Sequence, residues 1–447
     1  MEARNEIKPS ILVFPWIAYG HIFPYLELSK NLSNKNFHIY FCSTPINLDS
    51  VKNSLHEQQS DSIQLVELQL PSFHDLPPNL HTTKNVPPNL MPRLFKAFQM
   101  SISSFTDIIT DLKPDLLIYD VFQPWAAKIA SSMNIPAVHF ATTGAAAYSF
   151  GYHGFIHKDS TFPYPAIYFT DCERKALEAE IGRIKIKEDD KDGSFGHFKL
   201  SDGIILMKTC RGIEGKYVDY LSFLCKKNVV PVGPLITQST NEENGSEIVD
   251  WLSKKPLFST VYISFGSENY LSKDQMEEIA KGLELCNVNF IWVVRSPVGK
   301  KINTNEVMPK GFLDRVEERG VIVQGWAPQA KILAHKSVGA FVSHCGMSSV
   351  MESFYFGVPV IAVPLKLDQP LNARLVVEAG VGVEVERDED GNFGRDEFAN
   401  AINKVIVETS GEKLRFRAVE LSERMKNEED EAMNEAVEQL FQLCKKC

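Results

Sequence analysis

The sequence predicts an α/β protein of two doubly wound domains, each a parallel sheet covered by helices on both faces. Three observations lead to this reading. Short, continuously apolar runs alternate with segments of helical spacing along the chain, the pattern of strands buried on both faces. The alternation breaks once, at VVPVGPLITQSTNEENGSE (229–247), and then restarts. The chain has 447 residues, more than one core ordinarily organises.

The elements follow in order. Ile11 to Trp16 is the first apolar run, and YGHIFPYLELSKNLS after it reads as a loop and then a helix. Strands are expected at 37–43 (FHIYFCS), 63–70 (IQLVELQL) and 115–120 (DLLIYD). QPWAAKIASSM is then a helix with Pro124 near its start, where a missing N–H costs nothing. AVHFAT (137–142) and GIILMKT (203–209) continue the series. In 229–247 prolines, polar residues, Gly and acids follow one another, as in a linker. Its latter part, 236–247, is taken to divide a first domain, 1–235, from a second, 248–425.

Beyond it lie TVYISFGS (260–267), a helix near 273–285, NFIWVV (289–294), VIVQGW (321–326), GAFVSH (339–344), PVIAVPL (359–365) and VGVEVE (381–386). Residues 411–445 are charged and helical, and 426–447 are expected to pack back on the first domain.

A net charge of −10, from 47 basic and 57 acidic residues, argues against nucleic acid as a partner. The N-terminal MEARNEIKPS is polar, and no run is long and apolar enough to span a bilayer. A cytoplasmic protein without stable membrane insertion is expected. The eight cysteines are scattered, and Cys444 and Cys447, the one CxxC, have no second pair to complete a zinc site. Free thiols in a reducing compartment are expected.

VSHCGMSSVMES (342–353) carries the densest chemistry. Ligands of doubly wound sheets sit at the carboxyl ends of the strands, and His344 to Ser349 occupies such an end. The N–H groups at the following helix start attract anions. Gly346 lets backbone approach a ligand, and Ser348 and Ser349 can cap the helix or donate to phosphate. An ordinary capped helix is the plainer alternative. Glu352 falls three residues after Ser349, to accept from sugar hydroxyls or to close a capping box. Trp326 ends a strand before Ala327, Pro328 and Gln329, and either stacks on a base or is a core indole. Asp368 and Gln369 lie just past another strand, as hydroxyl-binding groups or an ordinary turn. Together they imply a ligand with a base, phosphate and a sugar.

The stretch WAPQAKILAHKSVGAFVSHCGMSSVMESFYFGVPVIAVPLKLDQ (326–369) resembles, in sequence and in length, the signature box of plant UDP-dependent glycosyltransferases, glycosyltransferase family 1. The resemblance extends over the whole chain. It implies the GT-B fold, two Rossmann-like domains facing across a cleft, with the first binding an acceptor and the second a UDP-sugar. Carried onto this sequence, it implies that Trp326 stacks on uracil beside Ala327, with Gln329 near base and ribose. His344 and Ser349 meet the diphosphate, with Gly346 between them in the donor site, Glu352 meets the ribose, and Asp368 and Gln369 the transferred sugar. Ser267, in SFGSENYLS, matches a phosphate-contacting serine. Met347 stands where the family usually has a Trp near the sugar, and Ser348 where it has an Asn at phosphate. Gln369 favours UDP-glucose as donor, with UDP-xylose, UDP-glucuronate and UDP-rhamnose left open. No permanently bound cofactor and no metal are implied, and a monomer is expected.

Transfer to a hydroxyl needs a base, and an imidazole titrates in the right range, about 6.5. His21 follows the first strand beside Gly20, which leaves room for substrate. Asp120 ends DLLIYD at the same sheet edge, where it can orient the imidazole or simply cap a helix. The resemblance makes them the catalytic pair of an inverting displacement. Phe122, Trp125, Phe140 and Tyr148 are the expected acceptor contacts, with Phe150, Tyr152 and Phe155 nearby, unless they are core aromatics. SFGSENYLSKDQMEEIAKGLE, ILMKTCRGIEGKYVDYLS and HCGMSSVMES resemble the branch that adds a sugar to a sugar already on a natural product, such as a flavonoid, triterpenoid or lignan glycoside. The alternatives are transfer to a free aglycone and a non-catalytic sugar-nucleotide binder. A dinucleotide dehydrogenase needs GxGxxG at the first strand–helix turn, which FPWIAYGHIFP does not provide.

Overall fold

The apolar runs fold as strands whose successive side chains enter opposite cores. In β1 (Ser10–Phe14), Ile11 and Val13 join Leu26 and Leu28 of the helix Tyr19–Asn34 on one face. Leu12 and Phe14 join Phe98 and Phe105 on the other, with the Phe14 and Phe105 rings 4.6 Å apart. The computed structural model describes residues 8–55, 59, 61–158, 160–183, 195–237, 245–295 and 307–445. They form two units. One takes its described residues from Met1–Lys158, Lys185–Thr240 and Glu428–Cys447, the other from Asp159–Ile184 and Asn241–Asn427.

The first unit's strands are β1, β2 (His38–Ser43), β3 (Ile63–Glu67), β4 (Leu116–Tyr119), β5 (Ala137–Ala141), β6 (Ile204–Met207) and β7 (Asn228–Pro231), in the order β3-β2-β1-β4-β5-β6-β7. All pairings are parallel. The strand order reverses between β1 and β4, the topological switch point at which such sheets open a crevice.

The second unit holds β8 (Thr260–Ser264), β9 (Asn289–Val294), β10 (Gly320–Gln324), β11 (Val338–Ser343), β12 (Val360–Ala362) and β13 (Gly382–Glu384), in the order β10-β9-β8-β11-β12-β13. These are also parallel, and the switch lies between β8 and β11. Val261 and Ile263 pack with Ile279, Leu283 and Phe398, while Tyr262 packs with Ile291 and Phe341 on the opposite face. Each such large side chain, fully buried, contributes on the order of 1.5–3 kcal/mol. The expected helix near 273–285 starts at Lys273 because Ser272 and Gln275 form a reciprocal capping box.

Three boundaries differ from expectation. Residues at the start of the supposed linker stretch, Val229 to Pro231, are strand β7, bonded to Ile205–Met207. Pro231 is tolerated because β7 is an edge strand. Of the linker proper, 236–247, residues 238–244 lie outside the described set, and Ser246 begins the helix Ser246–Ser253. The first domain is also not continuous from 1 to 235, since the described residues 160–183 belong to the second unit. An ionic clamp accounts for this. The buried Arg374 guanidinium donates to both oxygens of Glu173, each at 3.0 Å, and to both of Glu384, at 2.7 and 2.9 Å. One terminal nitrogen thus serves each carboxylate, and such charge-assisted bonds are stronger than neutral ones.

The final helix, Thr409–Cys444, contributes to both units. Met433, Ala436 and Leu440 enter the first unit's core beside Leu32 and Phe37, and the Phe37 and Phe441 rings stack at 4.2 Å. The described cysteines are free thiols, and Cys447 lies outside the described residues. Among the described residues no helix is long and apolar enough to cross a membrane.

Candidate active site

Both switch points carry polar side chains. In the first unit the chain leaves β1 and starts the helix Tyr19–Asn34, where the Ala18 carbonyl accepts from the N–H groups of His21 (2.9 Å) and Ile22 (2.8 Å). His21 thus projects from the first helical turn. Its Nδ1 lies 2.8 Å from Oδ2 of Asp120, which follows β4. Asp120 is 1% exposed. Its Oδ2 also accepts from the Trp16 backbone N–H at 3.1 Å, and its Oδ1 from that of Val121 at 2.6 Å. A carboxylate oxygen only accepts, so Nδ1 of His21 is the donor in this bond and Nε2 is the ring nitrogen turned away from Asp120. Thr142 Oγ1 stands 3.3 Å from the same Nδ1. Neither Trp16 nor Thr142 was singled out from sequence, because one acts through its backbone and the other through proximity.

The expected acceptor residues divide. Phe122 lies beside His21, its ring 5.7 Å from the imidazole. A Cβ built on Gly20 meets nothing within 4 Å, so this position borders open space. Tyr148 is half-buried, 5.2 Å from the Phe198 ring. Phe140 is corrected to a core residue, 0% exposed and packed 4.7 Å from the Tyr25 ring. Trp125 packs edge-on against Phe14 and Phe105 at 5.7 and 5.4 Å, as part of the core rim.

In the second unit β11 ends at Ser343 and delivers His344 to the switch point. Cys345 takes a left-handed φ of 62°, and Gly346 starts the helix Met347–Tyr355. The expected serine cap is absent: Gly346 is the N-cap with no side-chain cap, and Ser348 and Ser349 lie inside the first turn. The capping box is likewise replaced, because Glu352 Oε2 accepts from Gln329 Nε2 at 2.8 Å. The same amide reaches Ser349 Oγ at 3.2 Å, so Gln329, Ser349 and Glu352 form one cluster.

His344 is gripped by two glycines. A Cβ on Gly266 (φ +78°) would fall 2.7 Å from its Cε1, and one on Gly346 only 2.5 Å from its Nε2. Its Nδ1 is buried without a hydrogen-bond partner among the described residues. Burial pushes the imidazole down to about 4, with the charge of Lys366 adding to the effect, so His344 is neutral near pH 7. Trp326 is 57% exposed at the end of β10, beside the buried Ala327. Ser267 is half-buried after β8, and Met347 is only 4% exposed.

Asp368 and Gln369 open the helix Gln369–Glu378. Gln369 Oε1 accepts from the N–H groups of Leu365 and Lys366, both at 3.0 Å. The buried Asn372, missed from sequence, donates to the Cys345 carbonyl and to Asp368 Oδ2, each at 3.0 Å, and ties two helix starts together. Among the described residues no group of three or more His, Cys, Asp or Glu could hold a metal ion.

Two Rossmann-like parallel-sheet domains, each with polar groups at its switch point, are the architecture of the GT-B fold. Residues 8–237 match the family model "Glycosyltransferase, N-terminal domain", and 227–437 match "UDP-glucoronosyl and UDP-glucosyl transferase". The chain is 52% identical to mogroside IIIx synthase of Siraitia grosvenorii over 98% of both chains. It is 47% identical to β-D-glucosyl crocetin β-1,6-glucosyltransferase of Gardenia jasminoides, over 96% of this chain and 98% of that one. Among solved structures, Phytolacca americana UGT2, complexed with UDP-2-fluoro-glucose and pterostilbene, superposes with a TM-score of 0.79 at 26% identity, over 98% of this chain and 100% of that one. The chain belongs to the UDP-glycosyltransferase family and is a hexosyl-transferring enzyme that uses a UDP-sugar.

Proposed function

We propose that this enzyme is an inverting glucosyltransferase that moves glucose from UDP-glucose to a hydroxyl of a sugar already attached to a plant natural product. The observation that carries the chemistry is the His21–Asp120 pair at the first unit's switch point. Nε2 of His21 takes the proton of the acceptor hydroxyl as its oxygen attacks C1 of the donor sugar. The C1–O bond to the diphosphate breaks, UDP leaves with the bonding pair, and the α-linked donor gives a β-linked product. Asp120 holds the imidazole in its Nδ1–H tautomer and stabilises the imidazolium.

Trp326 offers an exposed indole for the uracil, and Gln329 and Glu352 polar groups for the ribose. Ser267, the neutral His344 and the N–H groups at Gly346 to Ser349 meet the diphosphate, so the reaction as written calls for no metal ion. Asp368 and the Gln369 amide hold hydroxyls of the transferred glucose. Met347 is buried and is assigned packing rather than sugar contact. Phe122, Gly20 and Tyr148 border the acceptor. We place the enzyme in the cytoplasm as a monomer.

A glucosylated acceptor is supported by the Gardenia jasminoides relative, whose name states a glucosyl crocetin acceptor and a β-1,6 product. The rival, transfer to a free aglycone, draws on the Phytolacca americana relative bound to pterostilbene. Assays of UDP release with UDP-glucose, UDP-xylose, UDP-glucuronate and UDP-rhamnose, each against an aglycone and its monoglucoside, decide between them. Turnover is expected with UDP-glucose and the monoglucoside. Equal or faster turnover of the aglycone would sink the sugar-on-sugar reading, and preference for another donor the assignment of glucose.

A further inference from the structure

Lys366 follows β12 and occupies a position that no motif assigns. In the sheet, β11 lies between β12 and β8, so the loops after β12 and β8 are two strand spacings apart, about 10 Å. The Lys366 side chain nevertheless reaches across, and its Nζ donates to the carbonyl of Glu268, after β8, at 3.4 Å. The ammonium therefore lies over the end of β11, where His344 and the helix start at Gly346 stand. Among the described residues it has no carboxylate partner, and the carbonyl contact leaves two of its three donors for a ligand.

The groups already assigned to the diphosphate carry no full positive charge. His344 is neutral, and the serines and backbone N–H groups are dipoles. A UDP leaving group gains charge on its β-phosphate as C1–O breaks, and a positioned cation stabilises that charge most. Asn372 holds the Cys345 carbonyl to Asp368 and keeps the lysine's loop in register with the helix start.

We propose that Lys366 binds the β-phosphate oxygens of UDP and neutralises them as the sugar departs. This rests on the donor site assigned above. Lys366 moves no proton. It stays an ammonium and donates hydrogen bonds to the phosphate oxygens.

The test compares wild type, Lys366→Met and Lys366→Arg for binding of UDP and of uridine by calorimetry, and for kcat with UDP-glucose. Lys366→Met is expected to weaken UDP binding about ten- to a hundred-fold, the value of a charge-assisted hydrogen bond. Uridine affinity should stay within about two-fold, kcat should fall, and Lys366→Arg should recover most of both losses. Unchanged UDP affinity in Lys366→Met overturns the proposal. So does an equal loss for UDP and uridine, which would mean that the lysine only latches the loop to Glu268. Wild-type protein that binds uridine and UDP equally would instead overturn the diphosphate site itself.

Discussion

Oδ2 of Asp120 faces Nδ1 of His21 at 2.8 Å while accepting the Trp16 backbone N–H at 3.1 Å. The carboxylate is thereby fixed from the main chain, and the imidazole is oriented from the carboxylate. Residues 99 positions apart meet because β1 and β4 are neighbours in the sheet and both end at the switch point.

His21→Ala is expected to abolish transfer while leaving UDP affinity unchanged, measured by UDP release and calorimetry. Asp120→Asn should cost about 10²–10⁴ in kcat, since an amide nitrogen opposite Nδ1 favours the wrong tautomer. Near-normal turnover in either variant would remove the pair as the base.

The glycine grip on His344 separates positions that look alike in sequence. Gly346→Ala would place a methyl 2.5 Å from Nε2 and should destabilise the second unit by about 1–3 kcal/mol, with loss of UDP binding. Gly20→Ala meets nothing within 4 Å and should fold as the wild type does. Its expected effect is a raised acceptor KM, because it fills space beside His21. Thermal unfolding and KM for both substrates check the contrast.

Trp326, 57% exposed, contributes little to folding in the absence of donor. Trp326→Ala should leave the unfolding temperature nearly unchanged and raise KM for UDP-glucose at least about five-fold, the lower end of base–aromatic stacking. Trp326→Phe should recover part of that loss. A large drop in stability without a KM effect would mean that the indole packs instead of stacking.

Burial holds the imidazoles of His139 and His344 near about 4, against about 6.5 in an unfolded chain. Above pH 6.5 neither state is protonated there, and the full stability is present. As pH falls from about 6.5 toward 4, the unfolded chain takes up protons that the folded chain refuses. Each histidine then removes on the order of 1.4 kcal/mol per pH unit. Urea midpoints between pH 7.5 and 4.5 should fall accordingly, and more shallowly in His139→Asn, whose amide can still donate to the Tyr119 carbonyl that faces Nδ1 at 3.2 Å. An identical pH slope in that variant would show that His139 is not buried neutral.

Much of this enzyme is legible from sequence alone. Apolar runs such as LLIY and FIWVV mark buried parallel strands, because both their faces must leave water. The stretch from Trp326 to Gln369 resembles the family's signature box, and His21 and Asp120 fall at strand ends. These depend on residues close together in the chain. Other features were decided only by contacts between distant segments. Val229 to Pro231 became an edge strand because β6 was there to pair with. Glu173 joined the second unit because Arg374, 201 residues away, is buried and needs its charge met. Phe140 went to the core because its side of β5 faces Tyr25. Lys366 became a candidate phosphate ligand only because the sheet order brings the ends of β8, β11 and β12 together. Strand propensity is local, but which charge or ring a side chain meets depends on sheet order, and sheet order is a property of the folded chain.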